Sequence, residues 1–377
     1  MTVSVKTIQT FLFTAALVVL SFSDLFIFPV GGKLVFGHYI VLVFIIPFVL
    51  LRQPGAIRSV AIPLILILVS VVVNVNSAVL AIALFHTLHF IAIATLAAFP
   101  LDVVGRATRR VLSVLVVLIV VLGLVNAAGF GALLPDMLTV ADKGNGQLRF
   151  KAFTTEPAAA GIVLLVLSRY VLLTDLASVR TRDIVFVLVA LVLLFSLNGL
   201  VIAAILLATY FLETRKLKAV LILGVFIAVA IFGILQVPYF AERLARFDPT
   251  QGALGYGTAT IRFLPYIYLG NELSAGVPFL VFGEGAGVFQ AKFFYALGQE
   301  YTVNDRLAGH MAAMLYDYGL PLILAILLMY RSRSPGRMLT HLLTSAIVFF
   351  NSGIGTYLFI LYGTFSLLEK RSERGVG

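Results

Sequence analysis

The sequence contains no cysteine, and only 12% of its 377 residues are charged. The absence of cysteine excludes a disulfide framework and a thiolate metal site, although it does not indicate a compartment. Soluble globular domains average about 25% charged residues, so this chain has too few to cover a water-exposed surface. Hydrophobic residues make up 61% of the chain. The composition therefore indicates a membrane protein.

Several signatures of soluble enzymes are also missing. We find no Ser-His-Asp arrangement, no zinc motif and no paired acidic motif of the kind that binds a metal ion. The stretch 283–287, Gly-Glu-Gly-Ala-Gly, lacks the βαβ context and the Lys-Ser/Thr pair of a phosphate-binding loop, so it is predicted to be a turn. His86 and His89 are too few for a metal site and are expected to have packing or polar-network roles.

Long continuous apolar runs dominate the rest of the sequence. About 20 residues of helix cross the ~30 Å hydrocarbon core of a bilayer, whereas an outer-membrane barrel would need alternating patterns. We predict an all-α, polytopic inner-membrane protein with about 12 transmembrane segments, one integral membrane domain over residues 1–377 and both termini in the cytoplasm. The single segments are predicted at about 10–29, 34–51, 59–73, 78–99, 111–130, 158–175, 219–237 and 311–330.

The remaining segments are two hairpins, in the apolar runs 184–212 and 339–368. Each run has basic residues at both ends, so one spanning helix would place a basic cluster outside. The turns are predicted at 196–199 and 351–355. Each arm of the first hairpin has ~13 residues, or ~20 Å of helix, which is shorter than the ~30 Å core. Its turn is expected below the outer surface, where irregular backbone must line a cavity or pack against protein.

The net charge of +10 raises the question of nucleic-acid binding. Most lysines and arginines lie in short loops on one predicted side, as the positive-inside rule requires, so no nucleic-acid partner is expected. Asp24, Arg169 and Asp317 lie within predicted helices. Ionisable groups at membrane depth are candidates for function by default, although all three could sit near an interface.

Two long loops, at about 131–157 and 238–310, are predicted to face the periplasm. Connections this long are uncommon and usually functional, and both carry basic residues against the positive-inside trend. Arg262 lies in an apolar stretch, so it either faces a binding cavity or snorkels to the interface. Arginines near Glu156 and His310 suit a substrate with a pyrophosphate, because one planar guanidinium can bind two phosphate oxygens at once. The other lysines and arginines of these loops are Lys143, Arg149, Lys151, Arg243, Arg246, Lys292 and Arg306.

Four stretches within about 145–330 resemble the bacterial O-antigen polymerase and O-antigen ligase superfamily of membrane glycosyltransferases. The stretch 149–161, with Arg149 and Glu156-Pro157 before small residues, is similar to the family's Arg and Glu-Pro-small stretch. The stretch 195–200 resembles its Ser-x-x-Gly break, and Arg262 with 277–285 resembles its Arg-to-Pro-to-Gly-x-Gly pattern. His310 with 318–320 resembles its His before a helix bearing aromatic-Gly-Leu, although the family often has His-Asn where this chain has His310-Met311.

The resemblance implies polymerisation of undecaprenyl-pyrophosphate-linked oligosaccharides at the periplasmic face, by an inverting reaction without metal or cofactor. It also implies the lipid bilayer and a chain-length regulator protein as partners. The Glu-Pro form and the short chain favour a polymerase over a ligase, which would transfer glycan to lipid A core. A transporter is the alternative from another class, since broken hairpins occur in transporters. The concentration of polar groups on one face argues against it.

The resemblance also assigns roles to residues. Arg149 and Arg262 would neutralise the pyrophosphate leaving group, and Glu156 or His310 would take the proton from the acceptor hydroxyl. The recess at the first hairpin turn would admit the lipid. The catalytic candidates are Arg149, Glu156, Arg262 and His310, and the substrate-binding candidates are Lys151, Ser196, Asn198 and Arg306.

Reporter fusions test the predicted topology. Fusions at Lys143 and Gly270 should report a periplasmic location, and fusions at Arg182, Lys216 and Arg333 a cytoplasmic one, because the basic loops remain inside. A periplasmic signal at Lys216 would contradict the first hairpin, and with it the recess.

Overall fold

The computed structural model describes residues 4–30, 33–135, 138–141, 148–152, 154, 156–194, 196–214, 258–276, 279–296, 310–329, 334–352 and 356–375, with four isolated positions in 221–228. Within these ranges the chain is almost entirely helical. The extended segments are two antiparallel hairpins, in which β1 (Ile27–Val30) pairs with β2 (Lys33–Phe36) and β3 (Thr139–Ala141) with β4 (Leu148–Phe150).

Fifteen α-helices are assigned in the described residues, and the apolar runs of the sequence form most of them. They are α1 (Val5–Ser21), α2 (Gly37–Arg52), α3 (Ala61–Val73), α4 (Leu80–Ala97), α5 (Leu101–Val125), α6 (Pro157–Thr174), α7 (Thr181–Leu193), α8 (Leu197–Thr214), α9 (Thr258–Ala275), α10 (Phe279–Phe282), α11 (Val288–Ala296), α12 (His310–Tyr318), α13 (Leu320–Met329), α14 (Pro335–Asn351) and α15 (Tyr357–Gly375). Short 3-10 and π turns occupy Ser23–Phe26, Pro54–Val60, Asn126–Phe130, Gly131–Leu133 and Leu176–Ser178.

Charged residues join the helix termini at one end of the bundle, which we call the basic end. Lys6 of α1 lies 2.6 Å from Asp102 at the start of α5. Arg337, at the start of α14, contacts Glu213 of α8 at 2.6 Å and Glu373 of α15 at 3.5 Å. Two further contacts lie at this end. Arg109 forms an ion pair with Asp175, and Arg371 donates a hydrogen bond to the Phe99 carbonyl.

The opposite end carries the two helix breaks predicted from the sequence, and we call it the asparagine end. The chain leaves α7 at Leu193 and enters α8 at Leu197, and α14 ends at Asn351 before α15 begins. Both pairs are antiparallel hairpins: Thr181 contacts Tyr210 across the first, and Phe349 packs on Phe359 across the second. Asn198 and Asn351 then join the two breaks.

Helix α6 is the centre of the core. All of its residues from Pro157 to Leu172 are buried, and α8 and α15 pack against it. Arg169, a candidate for function in the sequence, donates a hydrogen bond of 2.6 Å to Glu369 of α15, and both side chains are almost fully buried. Arg169 therefore has a structural role in holding α6 against α15, since a buried charge is stable only when it is paired.

Four helical stretches are long and apolar enough to cross a membrane, or five if α12 and α13 count as one bent span. The four are Pro54–Val73, Leu80–Ala97, Leu101–Leu133 and Pro157–Thr174. These helices are compatible with a membrane protein. The predicted segment at 219–237 lies almost wholly outside the described residues, so the count of about 12 remains a prediction.

One expectation from the sequence is corrected. The helix predicted at 311–330 is two helices, α12 and α13, whose axes differ by 117°. The break is at Gly319, whose φ of 79° places it in the left-handed region that favours glycine after a helix end. The described part of the second long loop, 238–310, contains three helices, α9, α10 and α11.

The Arg169–Glu369 pair predicts a stability effect. Replacing Arg169 alone, as Arg169→Met, leaves the Glu369 carboxylate buried without its partner and should destabilise the protein by about 3–5 kcal/mol. The double variant Arg169→Met/Glu369→Gln should recover most of this loss, since apolar or neutral replacement of both partners is often nearly neutral.

Thermal unfolding in detergent micelles measures both effects. Arg182→Met, at a side chain that is 67% exposed, is the matched control and should leave the melting temperature almost unchanged. Equal destabilisation by the single and double variants would contradict the pairing.

Candidate functional site

The asparagine end is built where the two helical hairpins meet. The Asn198 amide nitrogen donates a hydrogen bond of 2.7 Å to the Asn351 side-chain oxygen, and the Asn351 amide donates one of 2.8 Å to the Ile347 carbonyl. Ser196, between α7 and α8, is buried. Two predicted substrate-binding residues, Ser196 and Asn198, therefore lie at a junction of four helices.

The N-terminus of α6 carries the Glu-Pro pair. The Lys151 N–H donates to the Leu138 carbonyl at 2.7 Å, and the Thr154 hydroxyl lies 2.7 Å from the Lys151 carbonyl and 2.8 Å from that of Glu156. Pro157 occupies the first turn of α6, and the half-buried Glu156 immediately precedes it without capping the helix by its side chain. The backbone of Glu156 is thus fixed at the helix end by the Thr154 hydroxyl.

The backbone between β4 and α6 is strained. Arg149 lies on β4, where it pairs with Val140, while its side chain lies outside the described residues. Ala152 is buried and has a φ of 51°, a left-handed conformation that costs a non-glycine residue roughly 1–3 kcal/mol. Such strain is concentrated at functional sites, so this turn supports the importance of the Arg149–Glu156 stretch.

Helices α6 and α8 lie side by side and run in the same direction. A Cβ placed on Gly161 would lie 3.0 Å from Ile202, so the absence of a side chain allows this close approach. Gly161 lies about as far along α6 from Glu156 as Ile202 lies along α8 from Asn198. The packing therefore places Glu156 and Asn198 at the same end of the bundle.

Helix α9, which contains Arg262, contacts the same end through Tyr266. The Tyr266 ring stacks on Phe350, with centroids 6.1 Å apart and planes within 13° of parallel, and Phe350 immediately precedes Asn351. Arg262 precedes Tyr266 by one helical turn, or ~6 Å along the axis. The backbone of Arg262 thus lies one turn from the contact with Phe350, while its side chain lies outside the described residues.

His310 is the half-buried first residue of α12. At the other end of this helix, the Tyr318 hydroxyl lies 2.6 Å from Nδ1 of His86, and His89 Nδ1 lies 2.7 Å from the Phe85 carbonyl. Helix α12 also packs against α14. The two histidines of α4 therefore have the polar-network role predicted for them, and His86 fixes the position of the helix that begins with His310.

The glycine-rich stretch 283–287 is a tight turn, and Asp317 holds it in place. The Asp317 carboxylate accepts hydrogen bonds from the N–H groups of Gly287 at 2.9 Å and Phe289 at 2.8 Å, and its carbonyl accepts one from Ser70. The three glycines of the turn have positive φ. Asp317 therefore has a structural role in fixing this turn, although the sequence analysis made it a candidate for function.

A polar cluster that the sequence did not predict lies beside this turn. The Lys292 ammonium donates to the Tyr316 hydroxyl at 2.7 Å, which donates to Glu272 at 3.0 Å, and Glu284 lies 3.8 Å from Lys292. Burial, followed by the Glu272 charge, raises the pKa of the neighbouring Tyr268 phenol to about 12, so it remains protonated. The four residues Glu272, Glu284, Lys292 and Tyr316 are called the polar cluster below.

The structure brings some of the predicted site residues together and leaves others undescribed. Lys151, Glu156, Ser196 and Asn198 lie at the asparagine end. Arg306, like Arg243 and Arg246, lies outside the described residues. Within the described ranges, no three His, Asp or Glu side chains are grouped closely enough to hold a metal ion.

The Asn198–Asn351 bond predicts a coupled pair of substitutions. Asn198→Ala leaves a polar group of Asn351 without this partner, which should cost about 1–3 kcal/mol of stability. Asn198→Ala/Asn351→Ala should cost less than the sum of the two single changes, because residues in contact are not additive.

Thermal unfolding of the two single variants and the double variant measures this coupling. Asn271→Ala, at an exposed position on α9, is the control. Additive losses would show that the two breaks are not energetically linked.

Comparison with known proteins adds no relative to this description: no family model matches the chain, and no curated protein or solved structure is significantly similar to it.

Proposed function

We propose that this protein polymerises oligosaccharide repeat units carried on undecaprenyl pyrophosphate, as an O-antigen or related surface-polysaccharide polymerase. The observation that carries the proposal is the meeting of three family-like stretches at one end of the bundle. Glu156 precedes α6, Asn198 opens α8 beside it, and Arg262 lies on α9 one turn before Tyr266, which stacks on the residue preceding Asn351. These stretches are far apart in the sequence, and the packing of the helices brings them to one end of the bundle.

Helix direction supports an anionic substrate at this end. Helices α6, α8 and α15 are parallel, as the pairs Gly161–Ile202 and Arg169–Glu369 and the common partner α14 indicate. Each helix N-terminus carries about half a positive charge and backbone N–H groups that bind phosphate. Three such termini at the asparagine end favour a diphosphate there.

The proposed reaction transfers a glycan from one lipid carrier to the sugar on another. The acceptor hydroxyl oxygen bonds to the anomeric carbon of the donor, and the bond from that carbon to the pyrophosphate oxygen breaks with inversion. Undecaprenyl pyrophosphate leaves with the electron pair, and Glu156 or His310 takes the hydroxyl proton. Arg149 and Arg262 neutralise the charge that develops on the leaving group, which is the role that a metal ion has in other glycosyl transfers.

The other substrate contacts follow from the same arrangement. Lys151 and Arg306 are proposed to hold the donor, and the junction at Ser196 and Asn198 to admit its lipid. A chain-length regulator is the proposed protein partner. Because the basic end gathers lysines and arginines, we propose that it faces the cytoplasm of a bacterial inner membrane, that about 12 segments span that membrane, and that the asparagine end faces the periplasm.

Glycan profiling of a deletion strain tests the proposal. Loss of the gene should leave single repeat units attached to the core, and the wild-type gene should restore the polymer. Bare core would assign the chain to the ligases. Unchanged glycan would contradict both and leave a transporter as the alternative. Purified protein with lipid-linked repeat units should form polymer in EDTA, and loss of activity that a divalent ion restores would contradict the arginine mechanism.

Arg262 gives the most specific prediction. Its interaction with the leaving group strengthens as the glycosidic bond breaks, so its removal should lower the rate more than binding. Arg262→Ala should reduce the rate of polymer formation by about 10²–10³. Arg262→Lys should recover only part of the activity, because lysine keeps the charge but lacks the planar fork.

Gel ladders of membrane glycan and the amount of protein in the membrane are measured together. Arg243→Ala, on a more polar stretch of the same loop, is the control and should have a mild effect. Normal ladders from a stably expressed Arg262→Ala strain would remove Arg262 from the site and leave Arg149 as the leaving-group contact.

A further inference from the structure

We propose that the polar cluster, together with Tyr295, is a glycan-binding subsite that holds sugar residues beyond the one that reacts. This inference deepens the proposed function and rests on it for the identity of the glycan. The proposed mechanism uses none of Glu272, Glu284, Lys292, Tyr316 and Tyr295. Of these, only Glu284 falls within the resemblance, as the variable position of its Gly-x-Gly pattern.

The chemistry of the cluster suits sugar hydroxyls. A hydroxyl donates one hydrogen bond and accepts others, so a subsite for sugars needs acceptors and donors side by side. Glu272 and Glu284 supply carboxylate oxygens, and Lys292 supplies an ammonium with three N–H donors. The buried Tyr316 hydroxyl joins Lys292 to Glu272 and fixes their spacing.

The cluster is open to solvent on one side, and an exposed aromatic ring stands next to it. The side chains of Lys292 and Glu284 are 46% and 38% exposed. Tyr295 follows Lys292 by three residues on α11, a spacing that places both on one face of a helix, and it is 85% exposed. The apolar face of a pyranose ring packs against such an aromatic face while its hydroxyls reach the charged groups beside it.

The cluster lies within reach of the proposed reaction centre. Glu272 follows Tyr266 on α9 by six residues, or ~9 Å of helix, and Tyr266 stacks beside the asparagine pair. The Glu284 carbonyl accepts a hydrogen bond of 2.8 Å from Ser77, in the turn between α3 and α4. A glycan chain that leaves the reaction centre along α9 would therefore meet the cluster.

The sign of the charge separates this subsite from the pyrophosphate site. Two carboxylates and one ammonium leave the cluster with a net negative charge among the described residues. A diphosphate would be repelled there, whereas it is attracted by arginines and helix N-termini. The cluster is therefore matched to the uncharged hydroxyl groups of the glycan rather than to its lipid pyrophosphate.

The chain has no tryptophan, so one substitution creates a direct probe of binding. Tyr295→Trp keeps an aromatic ring at the subsite and introduces a single tryptophan fluorophore. The protein in nanodiscs is titrated with the free repeat-unit oligosaccharide, released by mild acid from the lipid carrier of the source strain. We expect a saturable change in emission, weakened about tenfold or more by adding Glu284→Ala, since hydrogen bonds to charged groups contribute about that much.

Phe11→Trp, at a 70% exposed position on α1, is the matched control and should not respond to the oligosaccharide. An equal response from both probes, or none from Tyr295→Trp, would overturn the subsite. Quenching of the Tyr295→Trp emission by brominated lipid, without a response to oligosaccharide, would also overturn it and assign Tyr295 to the membrane interface.

Saturation-transfer NMR on the unmodified protein and on Lys292→Ala provides a second measurement that does not depend on the tryptophan. Oligosaccharide signals should appear with the unmodified protein and be strongly reduced with Lys292→Ala, and equal signals would overturn the subsite. Oligosaccharide binding with no polymer formation would leave the subsite standing and contradict the proposed polymerase. Polymer formation, together with no response of the Tyr295→Trp emission and equal NMR signals, would leave the proposed polymerase standing and contradict the subsite.

Discussion

The hydrogen bond between Asn198 and Asn351 is the interaction on which the arrangement of the helices depends. A helix that breaks inside an apolar environment leaves backbone donors and acceptors without partners, and such breaks are tolerated only where protein packs against them. Here two breaks lie against each other, and this bond of 2.7 Å joins them. Because Arg337 joins the same hairpins at the basic end, the direction of α8 and α15 is determined at both ends.

The direction of those helices determines the electrostatics of the site. Parallel helices of this kind place their positive termini together, which is unfavourable unless an anion or polar groups occupy the space between them. The same packing buries Arg169 with Glu369 in the centre of the bundle. Charge is therefore paired within the core and at the basic end, while the helix termini at the asparagine end lie where the proposed function places the pyrophosphate.

Much of the helical plan could be predicted from the sequence because it depends on local properties. Apolar length predicts helices, and basic residues at both ends of 184–212 predict a hairpin with a break near Ser196. The turn at 283–287 was predicted because its glycines lack the sequence context of a phosphate-binding loop. The bend at Gly319 was missed because this glycine lies in a long apolar run. Gly319 has a left-handed φ, and a Cβ added there would lie 2.8 Å from the Val281 carbonyl oxygen. That close approach is a tertiary contact, which the sequence pattern does not show.

The sequence by itself indicated an all-helical chain with apolar helices compatible with a membrane, and it located many of those helices and the stretches that carry candidate chemistry, since composition and spacing act over short distances. Only the tertiary structure decided which of those residues meet. Arg169 and Asp317 looked alike as charges in apolar helices, yet one forms an ion pair and the other accepts backbone N–H groups. The polar cluster joins Glu272 and Lys292 to Tyr316 across three helices, and only packing brings such distant residues together.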